Sequence, residues 1–104
     1  MDALHAAVRS FCAVRDWDRY HTPQALAIGI TTEAAELLQE FRFLDPDEQV
    51  ELFDDPDRRE AVEDECADVL FLLLRLADRH DIDLEAALLR KFEKNAERYP
   101  PTED

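Results

Sequence analysis

The chain has 104 residues, with 26 acidic against 12 basic side chains and a formal net charge of −14. Such a charge disfavours binding to nucleic acids or to anionic membranes, because both partners are themselves negative. The single glycine, and five prolines that all lie outside the long apolar runs, favour long helices over a turn-rich β fold. We therefore predict an all-α fold with residues 1–104 forming one domain.

Membrane insertion and secretion are both disfavoured by the apolar pattern. The longest unbroken apolar run, residues 69–74, is far shorter than the roughly 20 residues that cross a bilayer as a helix. The N-terminal residues lack a signal-peptide pattern, so we expect a cytoplasmic protein. Cys12 and Cys66 lie in apolar helical patterns without a zinc-type spacing. Both are predicted to be buried free thiols.

Hydrophobic periodicity predicts two helices in the first half of the chain. The first covers residues 2–15. The second begins at Thr22-Pro23, a favourable N-cap followed by proline at the first helical position, and runs to about Phe43. The acidic, proline-containing residues 44–57 are predicted to be a solvated loop with at most a short helical turn.

Two further helices follow this loop. The third covers about residues 57–80, and its centre is apolar nearly all round, which is typical of a helix packed on several sides. The fourth is capped by Asp83 and ends at Tyr99. We predict a four-helix bundle that assembles into an oligomer, because the third helix has more apolar surface than one small bundle covers.

Two pairs of acids interrupt the apolar stripes of the second and third helices. Glu33 and Glu36 lie three residues apart among leucines and alanines, and Glu65 and Asp68 repeat the spacing later. Residues three apart share one face of a helix, so each pair points where core is expected. Four carboxylates brought together cannot all stay ionised without cations. Oxygen ligands of this kind suit Mg²⁺, with Mn²⁺ as the alternative.

The spacing alone does not establish a metal site. The same acid-x-x-acid pattern occurs at Asp57/Glu60, where a solvated surface explains it better. The alternative is that the paired acids form salt bridges with Arg75, Arg79 or bases on another helix. A di-iron bundle is a further alternative, but such sites use Glu-x-x-His, and this chain has no glutamate three residues before a histidine.

Two other segments carry candidate binding residues. The inner stripe of the fourth helix changes from leucine and alanine to Lys91, Asn95 and Arg98, which would suit a cleft wall that holds phosphate oxygens. The alternative is a surface helix whose C-terminal bases interact favourably with the helix dipole. Trp17 and His21 precede the second helix. Aromatic side chains there either cover the core or stack on a nucleobase.

Further sequence blocks flank the four acids in a recognisable order. They are Arg15-Asp16-Trp17 with Tyr20-His21-x-Pro23, then Asp68-Val69-Leu70, and finally Lys91-x-x-x-Asn95-x-x-Arg98-Tyr99-Pro100. Together with E-x-x-E followed by E-x-x-D, these blocks resemble the all-α nucleoside triphosphate pyrophosphohydrolases of the MazG-like superfamily. The similarity covers about residues 11–100 and is strongest to the small dCTP pyrophosphatase branch.

The resemblance implies hydrolysis of a nucleoside triphosphate to the monophosphate and pyrophosphate. It implies that Glu33, Glu36, Glu65 and Asp68 are the metal-binding and catalytic residues, with Mg²⁺ carrying the triphosphate. It also implies substrate contacts from a second set of residues: Trp17, His21, Phe43, Lys91, Asn95, Arg98 and Tyr99. Which of the four acids, or Glu40 one turn further on, accepts a proton from the attacking water is left open. A homotetramer built as a dimer of dimers, or a homodimer, is the implied assembly.

Several positions depart from the dCTP branch. Ala35 stands where glycine is frequent, Phe43 where tryptophan is frequent, Leu72 in place of an aromatic residue and Val8 in place of a histidine. These positions surround the expected base and sugar pocket, so they affect base preference more than chemistry. The sequence thus predicts a Mg²⁺-dependent pyrophosphohydrolase of nucleotide-pool housecleaning, with dCTP or a modified dCTP as candidate substrates. The alternative is a non-enzymatic helical interaction module whose carboxylates form structural salt bridges.

Overall fold

A computed structural model describes residues 1–102. The helices are α1 (Asp2–Ala13), α2 (Pro23–Gln39), α3 (Pro46–Glu51), α4 (Pro56–Arg79) and α5 (Leu84–Arg98). Short 3-10 turns lie at Asp18–Tyr20 and Leu52–Asp54. The described residues contain no strand, so the predicted all-α fold is confirmed, together with its four long helices.

Each of the three later long helices begins after a residue whose side chain caps it; the caps Thr22 and Asp83 were predicted, whereas Asp55 was not. The backbone N–H of Ala25 donates to Oγ1 of Thr22 over 3.1 Å, ahead of α2. The side chain of Asp55 accepts the first backbone N–H groups of α4, and Asp83 does the same for α5. These bonds satisfy donors that have no partner within the helix, and they fix where each helix starts.

The predicted end of the second helix was wrong by four residues, because α2 ends at Gln39 and not at Phe43. The next three residues, 40–42, form hydrogen bonds to carbonyls only three residues back, and Phe43 has a left-handed φ of 67°. The chain tightens there so that it can turn into Asp45-Pro46, where an α conformation before proline is disfavoured.

The acidic segment after α2 is more ordered than predicted. Asp45 and Glu48 form a reciprocal capping box at the start of α3, with N–H to carboxylate distances of 2.8 and 3.0 Å. Leu52 in the following 3-10 turn is only 2% exposed. One buried leucine therefore anchors a segment whose composition suggests a solvated loop.

The central packing is between α2 and α4. Gly29, the only glycine in the chain, lies where these two helices meet, and a Cβ added to it would lie 3.0 Å from Cδ1 of Leu72. Leu26 is 1% exposed. The close approach of α2 and α4 brings the acid-bearing face of each helix toward the other.

A second, smaller core joins α1 to α4. Val8, Cys12 and Leu74 form its buried centre, and Phe71 and Leu84 pack against it. At its edge, the guanidinium of Arg9 forms an ion pair with the carboxylate of Asp78. This ion pair lowers the pKa of Asp78, because the positive charge favours the ionised carboxylate.

Helix α5 has few contacts with the rest of the chain beyond its first turn. Leu88, Leu89 and Phe92 are 55–57% exposed. The Cα radius of gyration is 17.1 Å, whereas about 13 Å is typical of a compact domain of this length. A single copy therefore leaves a helix with an apolar face largely uncovered.

The two cysteines differ in their surroundings. Cys12 is fully buried, as predicted, and burial raises the pKa of its thiol. Cys66 is exposed, so the prediction of a buried thiol there was wrong. Cys66 lies on an uncovered side of α4. The centre of this helix is apolar nearly all round, so its sequence does not indicate which face is covered. None of the helices in residues 1–102 is long and apolar enough to cross a membrane.

Candidate metal centre and adjoining pocket

Three of the four predicted acids come together between α2 and α4. Glu33, Glu36 and Glu65 each place one carboxylate oxygen within 4.8 Å of those of the other two. Asp68 lies one turn beyond Glu65 on the same helix and is exposed. After burial and Glu36, the charge of Asp68 also raises the pKa of both Glu33 and Glu65, so Asp68 contributes to the electrostatic field of this carboxylate cluster.

Ionisation of two acids in the cluster is unfavourable in the absence of a cation. Burial, followed by the neighbouring Glu36, raises the pKa of Glu33 to about 7. The pKa of Glu65 is raised as well, chiefly by burial and then by Glu36. Both shifts have the direction expected when carboxylates are desolvated next to like charges. Glu33 and Glu65 therefore bind a proton more tightly than they would in water.

The cluster also contains oxygens that have no hydrogen-bond partner. Oε2 of Glu33 and Oε2 of Glu65 are buried and unpaired in the described part of the chain. Unpaired buried acceptors are costly, and in native proteins each has a specific explanation. Hard oxygen donors grouped at this spacing fit a divalent cation such as Mg²⁺ or Mn²⁺.

The salt-bridge alternative has no support from the basic residues named for it. Arg75 and Arg79 both pair with Asp18, in the 3-10 turn before α2, and not with the cluster. Within residues 1–102, no arginine or lysine forms an ion pair with Glu33, Glu36 or Glu65. The carboxylate cluster therefore has no charge-neutralising partner within the described chain.

An apolar pocket of about 500 Å³ adjoins the cluster. Among the described residues, Asp68 is the one charged residue that lines the pocket, and its charge also acts on Glu33 and Glu65 in the carboxylate cluster. The other lining residues are Ala7, Val8, Phe11, Trp17, Ala67 and Phe71. The ring of Phe11 makes edge-to-face contacts with Trp17 and with Phe71, at centroid distances of 5.5 and 5.9 Å. This is an aromatic slot of the kind that accepts a flat ring.

Of the two predicted substrate residues in the N-terminal segment, Trp17 lines this pocket, and His21 lies next to Trp17 without lining the pocket. Trp17 is a lining residue, and the ring centroid of His21 lies 6.0 Å from that of Trp17. Nδ1 of His21 accepts a hydrogen bond from Nε of Arg75 over 3.0 Å. Burial and the nearby arginines lower the pKa of His21, so its ring stays neutral at ordinary pH.

The remaining predicted substrate residues are not part of the pocket in one copy of the chain. Phe43 is 94% exposed and lies against Arg42, whose Cζ is 5.0 Å from the ring centroid. The α5 residues Lys91 and Arg98 are exposed, Asn95 is half-buried and Tyr99 is 66% exposed.

Sequence reasoning missed two aromatic walls of the pocket. Phe11 and Phe71 lie in the apolar patterns of the first and third predicted helices, and neither was predicted as a binding residue. A usable signal was present, because Phe71 follows Asp68 by three residues and therefore shares its helix face. Arg75, one further turn along that face, was considered only as a partner for the acids.

Comparison with known proteins supports one family. Residues 28–104 match the MazG-like family. Among curated proteins, dCTP pyrophosphatase 1 of Rattus norvegicus is 36% identical over 97 residues, covering 93% of this chain and 55% of the relative. The Homo sapiens protein of the same name is 37% identical with the same coverage. The chain thus spans about half the length of the curated relatives it matches.

A solved structure agrees with this assignment. The crystal structure of a pyrophosphatase from Archaeoglobus fulgidus superposes with a TM-score of 0.91 and is 42% identical, covering 97% of this chain and 93% of that one. The chain belongs to the MazG-like family.

Proposed function

We propose that this protein is a Mg²⁺-dependent nucleoside triphosphate pyrophosphohydrolase that converts a (d)NTP to the (d)NMP and pyrophosphate. Relatives named as dCTP pyrophosphatases and a structural neighbour named as a pyrophosphatase support this proposal. dCTP and modified dCTP are the first candidate substrates, and removal of unwanted nucleotides from the cellular pool is the corresponding role.

The observation that carries the proposal is the carboxylate cluster next to an aromatic pocket. Glu33, Glu36 and Glu65 converge within 4.8 Å, and two of their buried oxygens have no hydrogen-bond partner in the described residues. Asp68 connects this cluster to the pocket. A nucleotide has a highly charged end and a flat apolar end. The carboxylate cluster, with a bound cation, would suit the charged end, and the adjoining aromatic pocket would suit the flat end.

Glu33, Glu36, Glu65 and Asp68 would hold the divalent ion. When bound, Mg²⁺ supplies Lewis-acid polarisation of phosphoryl oxygens and offsets the negative charge of both acids and phosphates. This charge reversal is needed here, because a chain with a net charge of −14 repels a triphosphate. By holding the ion, the carboxylates would orient the phosphate chain, and one of the four acids or Glu40 would accept the proton of the attacking water.

The aromatic pocket would hold the base. Trp17, Phe11 and Phe71 provide faces and edges for a planar ring, and bases of every type have a π face that can stack. Val8 occupies one wall without any hydrogen-bonding group. The pocket therefore selects mainly by shape and apolar contact, with polar readout confined to its rim.

Assembly into a homo-oligomer is part of the proposal. The exposed apolar face of α5, with Leu88, Leu89 and Phe92, requires a cover in water. A second copy of the chain is the proposed cover, as a homodimer or as a homotetramer built from two dimers. Docking of α5 against another copy would also give Lys91, Asn95 and Arg98 a route to a bound triphosphate.

The proposal is tested by a substrate screen. The purified protein is incubated with standard and modified (d)NTPs and Mg²⁺ or Mn²⁺, and released pyrophosphate and monophosphate are measured. We expect one pyrophosphate for each monophosphate formed, and no release in the presence of EDTA. A protein that releases none, and gives no calorimetric response to Mg²⁺ with a non-hydrolysable dNTP analogue, would instead be the non-enzymatic interaction module.

A further inference from the structure

One charged side chain is buried in the described part of the chain, and it is not in the carboxylate cluster. Arg75 on α4 is 2% exposed. Its guanidinium lies beneath the connection between α1 and α2 and forms an ion pair with Asp18. Its Nε donates to Nδ1 of His21 over 3.0 Å. Burying a cation is costly, so the arrangement around Arg75 calls for a specific role.

The hydrogen bond from Arg75 determines which nitrogen of His21 carries the proton. A guanidinium has only donors, and therefore the nitrogen that it contacts must present a lone pair. In a neutral imidazole one nitrogen accepts and the other donates, so the proton is on Nε2. Nδ1 and Nε2 lie on different sides of the ring, and the Nε2–H bond is directed away from Arg75.

The surroundings of His21 reinforce this tautomer. The charged groups near the ring are Arg75 and Arg79 from α4 and Asp18 from the 3-10 turn. Asp18 binds both arginines, with its carboxylate 3.5 Å from Nη1 of Arg79, and so holds the guanidinium of Arg75 in place. Protonation of Nδ1 would set two donors against each other across 3.0 Å.

His21 lies close to the aromatic pocket, where a fixed hydrogen-bond donor can contribute to ligand binding. Its ring centroid lies 6.0 Å from that of Trp17, which lines the aromatic pocket. The other pocket walls are hydrocarbon, apart from Asp68. His21 therefore lies beside one wall of the pocket, and its Nε2–H is the polar donor next to Trp17 that is not used by Arg75.

We propose that Arg75 is a positioning residue that holds His21 as the neutral Nε2–H tautomer, a fixed donor to an acceptor oxygen of the bound nucleoside. The acceptor is a carbonyl of the base or a hydroxyl of the sugar. The ligand part of this statement rests on the proposed function, whereas the tautomer part depends only on the contacts of Arg75, His21 and Asp18.

The tautomer is tested by ¹⁵N NMR of histidine-labelled protein. The chain has three histidines, and His21→Gln identifies the signals of His21. We expect an unprotonated Nδ1 and a protonated Nε2 in the native protein. Arg75→Met should give a mixture of tautomers, while Arg79→Met, which leaves the Arg75 hydrogen bond intact, should not. A native His21 with protonated Nδ1 would overturn the proposal.

Folding of the Arg75 variants is controlled in the same experiment. Arg75→Met removes a buried cation and leaves Asp18 without its main partner, so it is compared with Arg75→Lys, which keeps the charge but loses the Nε geometry. If only Arg75→Lys folds, we still expect a loss of the single tautomer, because the ammonium of lysine is a flexible point donor. Retention of the native ¹⁵N pattern in a folded Arg75 variant would contradict the positioning role.

The ligand part is tested by steady-state kinetics. A donor that binds substrate and transition state equally affects KM and not kcat. Loss of its alignment should raise KM about three- to tenfold, the usual range for one hydrogen bond. In a His21→Phe background, the Arg75 substitution should have no further effect on KM. An equal drop in kcat in both backgrounds would indicate a merely structural role and would overturn the proposal.

The acceptor is identified by substrate analogues. A dideoxynucleotide lacks the sugar hydroxyl, and a 2-thiopyrimidine nucleotide lacks the base carbonyl oxygen. The KM penalty of the Arg75 variant should disappear for one of them; if it persists for both, the proposed donor role is wrong. Native protein without any pyrophosphate release would refute the proposed function, and the ¹⁵N spectrum would still decide the tautomer.

Discussion

Carboxylate oxygens of Glu33 on α2 and Glu65 on α4 lie within 4.8 Å of each other, and each residue also has one buried oxygen without a hydrogen-bond partner among residues 1–102. Two acids in this arrangement destabilise the metal-free fold, because burial and like charge both oppose their ionisation. The cluster is therefore better explained by what it binds than by what it contributes to folding.

Glu36→Gln is expected to lower Mg²⁺-dependent pyrophosphate release by at least about a hundredfold, since even the outer partners of metal ligands commonly contribute about 10- to 100-fold. The fold should remain intact, because glutamine has nearly the same shape and removes a repulsive charge. Activity and thermal unfolding of the same preparation provide the measurement.

The matched control for this variant is Glu63→Gln. Glu63 is an exposed acid on α4, outside the cluster. Its substitution removes the same charge from the net total and should leave the rate unchanged. Full activity in Glu36→Gln, or an equal loss in both variants, would refute the assignment of the carboxylate cluster as the catalytic centre.

The metal-free protein is expected to lose stability as pH rises through the range from about 4.5 to about 7. The pKa of Glu33 is raised to about 7 from an ordinary value of 4.5, and that of Glu65 is raised as well. The folded state therefore binds more protons than the unfolded state in this range, and the free energy of unfolding falls as pH increases. Thermal unfolding in EDTA at pH 5 and pH 8 measures the effect.

Addition of Mg²⁺ should reverse this trend. The ion competes with protons for the same oxygens, so its stabilising effect should be larger at pH 8 than at pH 5. Glu33→Gln should reduce both the pH dependence in EDTA and the stabilisation by Mg²⁺. A metal-free protein whose stability does not fall over this range would show that the cluster titrates normally.

Trp17→Ala is expected to raise KM for nucleotides by about tenfold, because stacking of a base on an aromatic side chain commonly contributes about 1–3 kcal/mol. The effect should be similar for several bases, since the pocket walls carry few groups that read base edges. Tyr20→Ala is the control: Tyr20 lies in the same connection but is 58% exposed and does not line the pocket. Equal effects of the two substitutions would argue against a base site at Trp17.

A homo-oligomer is expected to depend on the apolar face of α5. Phe92→Asp should shift the protein toward smaller species in light scattering, because a charge at the centre of a buried interface is costly. Glu93→Gln, on the same helix, should leave the assembly unchanged. A native protein that is monomeric at micromolar concentration would exclude a second copy as the cover for this face.

Much of the fold was predictable because its signals are local. The caps at Thr22 and Asp83 act on their own helices, and the near absence of glycine excludes many turns. The four acids could also be identified from the sequence, because acids within an apolar stripe are unusual on any helix. Its function as a catalytic centre remains a prediction.

Other features depend on contacts between distant segments and could not be predicted. The burial of Leu52 follows from how the acidic segment folds back, and the exposure of Cys66 from which face of α4 is left uncovered. The pairing of Arg75 with Asp18 and His21 joins positions more than 50 residues apart in sequence. Nothing in the local pattern around Arg75 distinguishes it from a surface base.

The contact between Gly29 and Leu72 has a consequence for how this family can diverge. With only 3.0 Å between an added Cβ and Cδ1 of Leu72, a larger residue at position 29 requires the side chain at position 72 to move. Across related sequences we expect correlated substitution: a larger residue at position 29 should accompany a smaller or differently shaped one at position 72. Such covariation would preserve the spacing of the two acid pairs while allowing the pocket beside them to diversify.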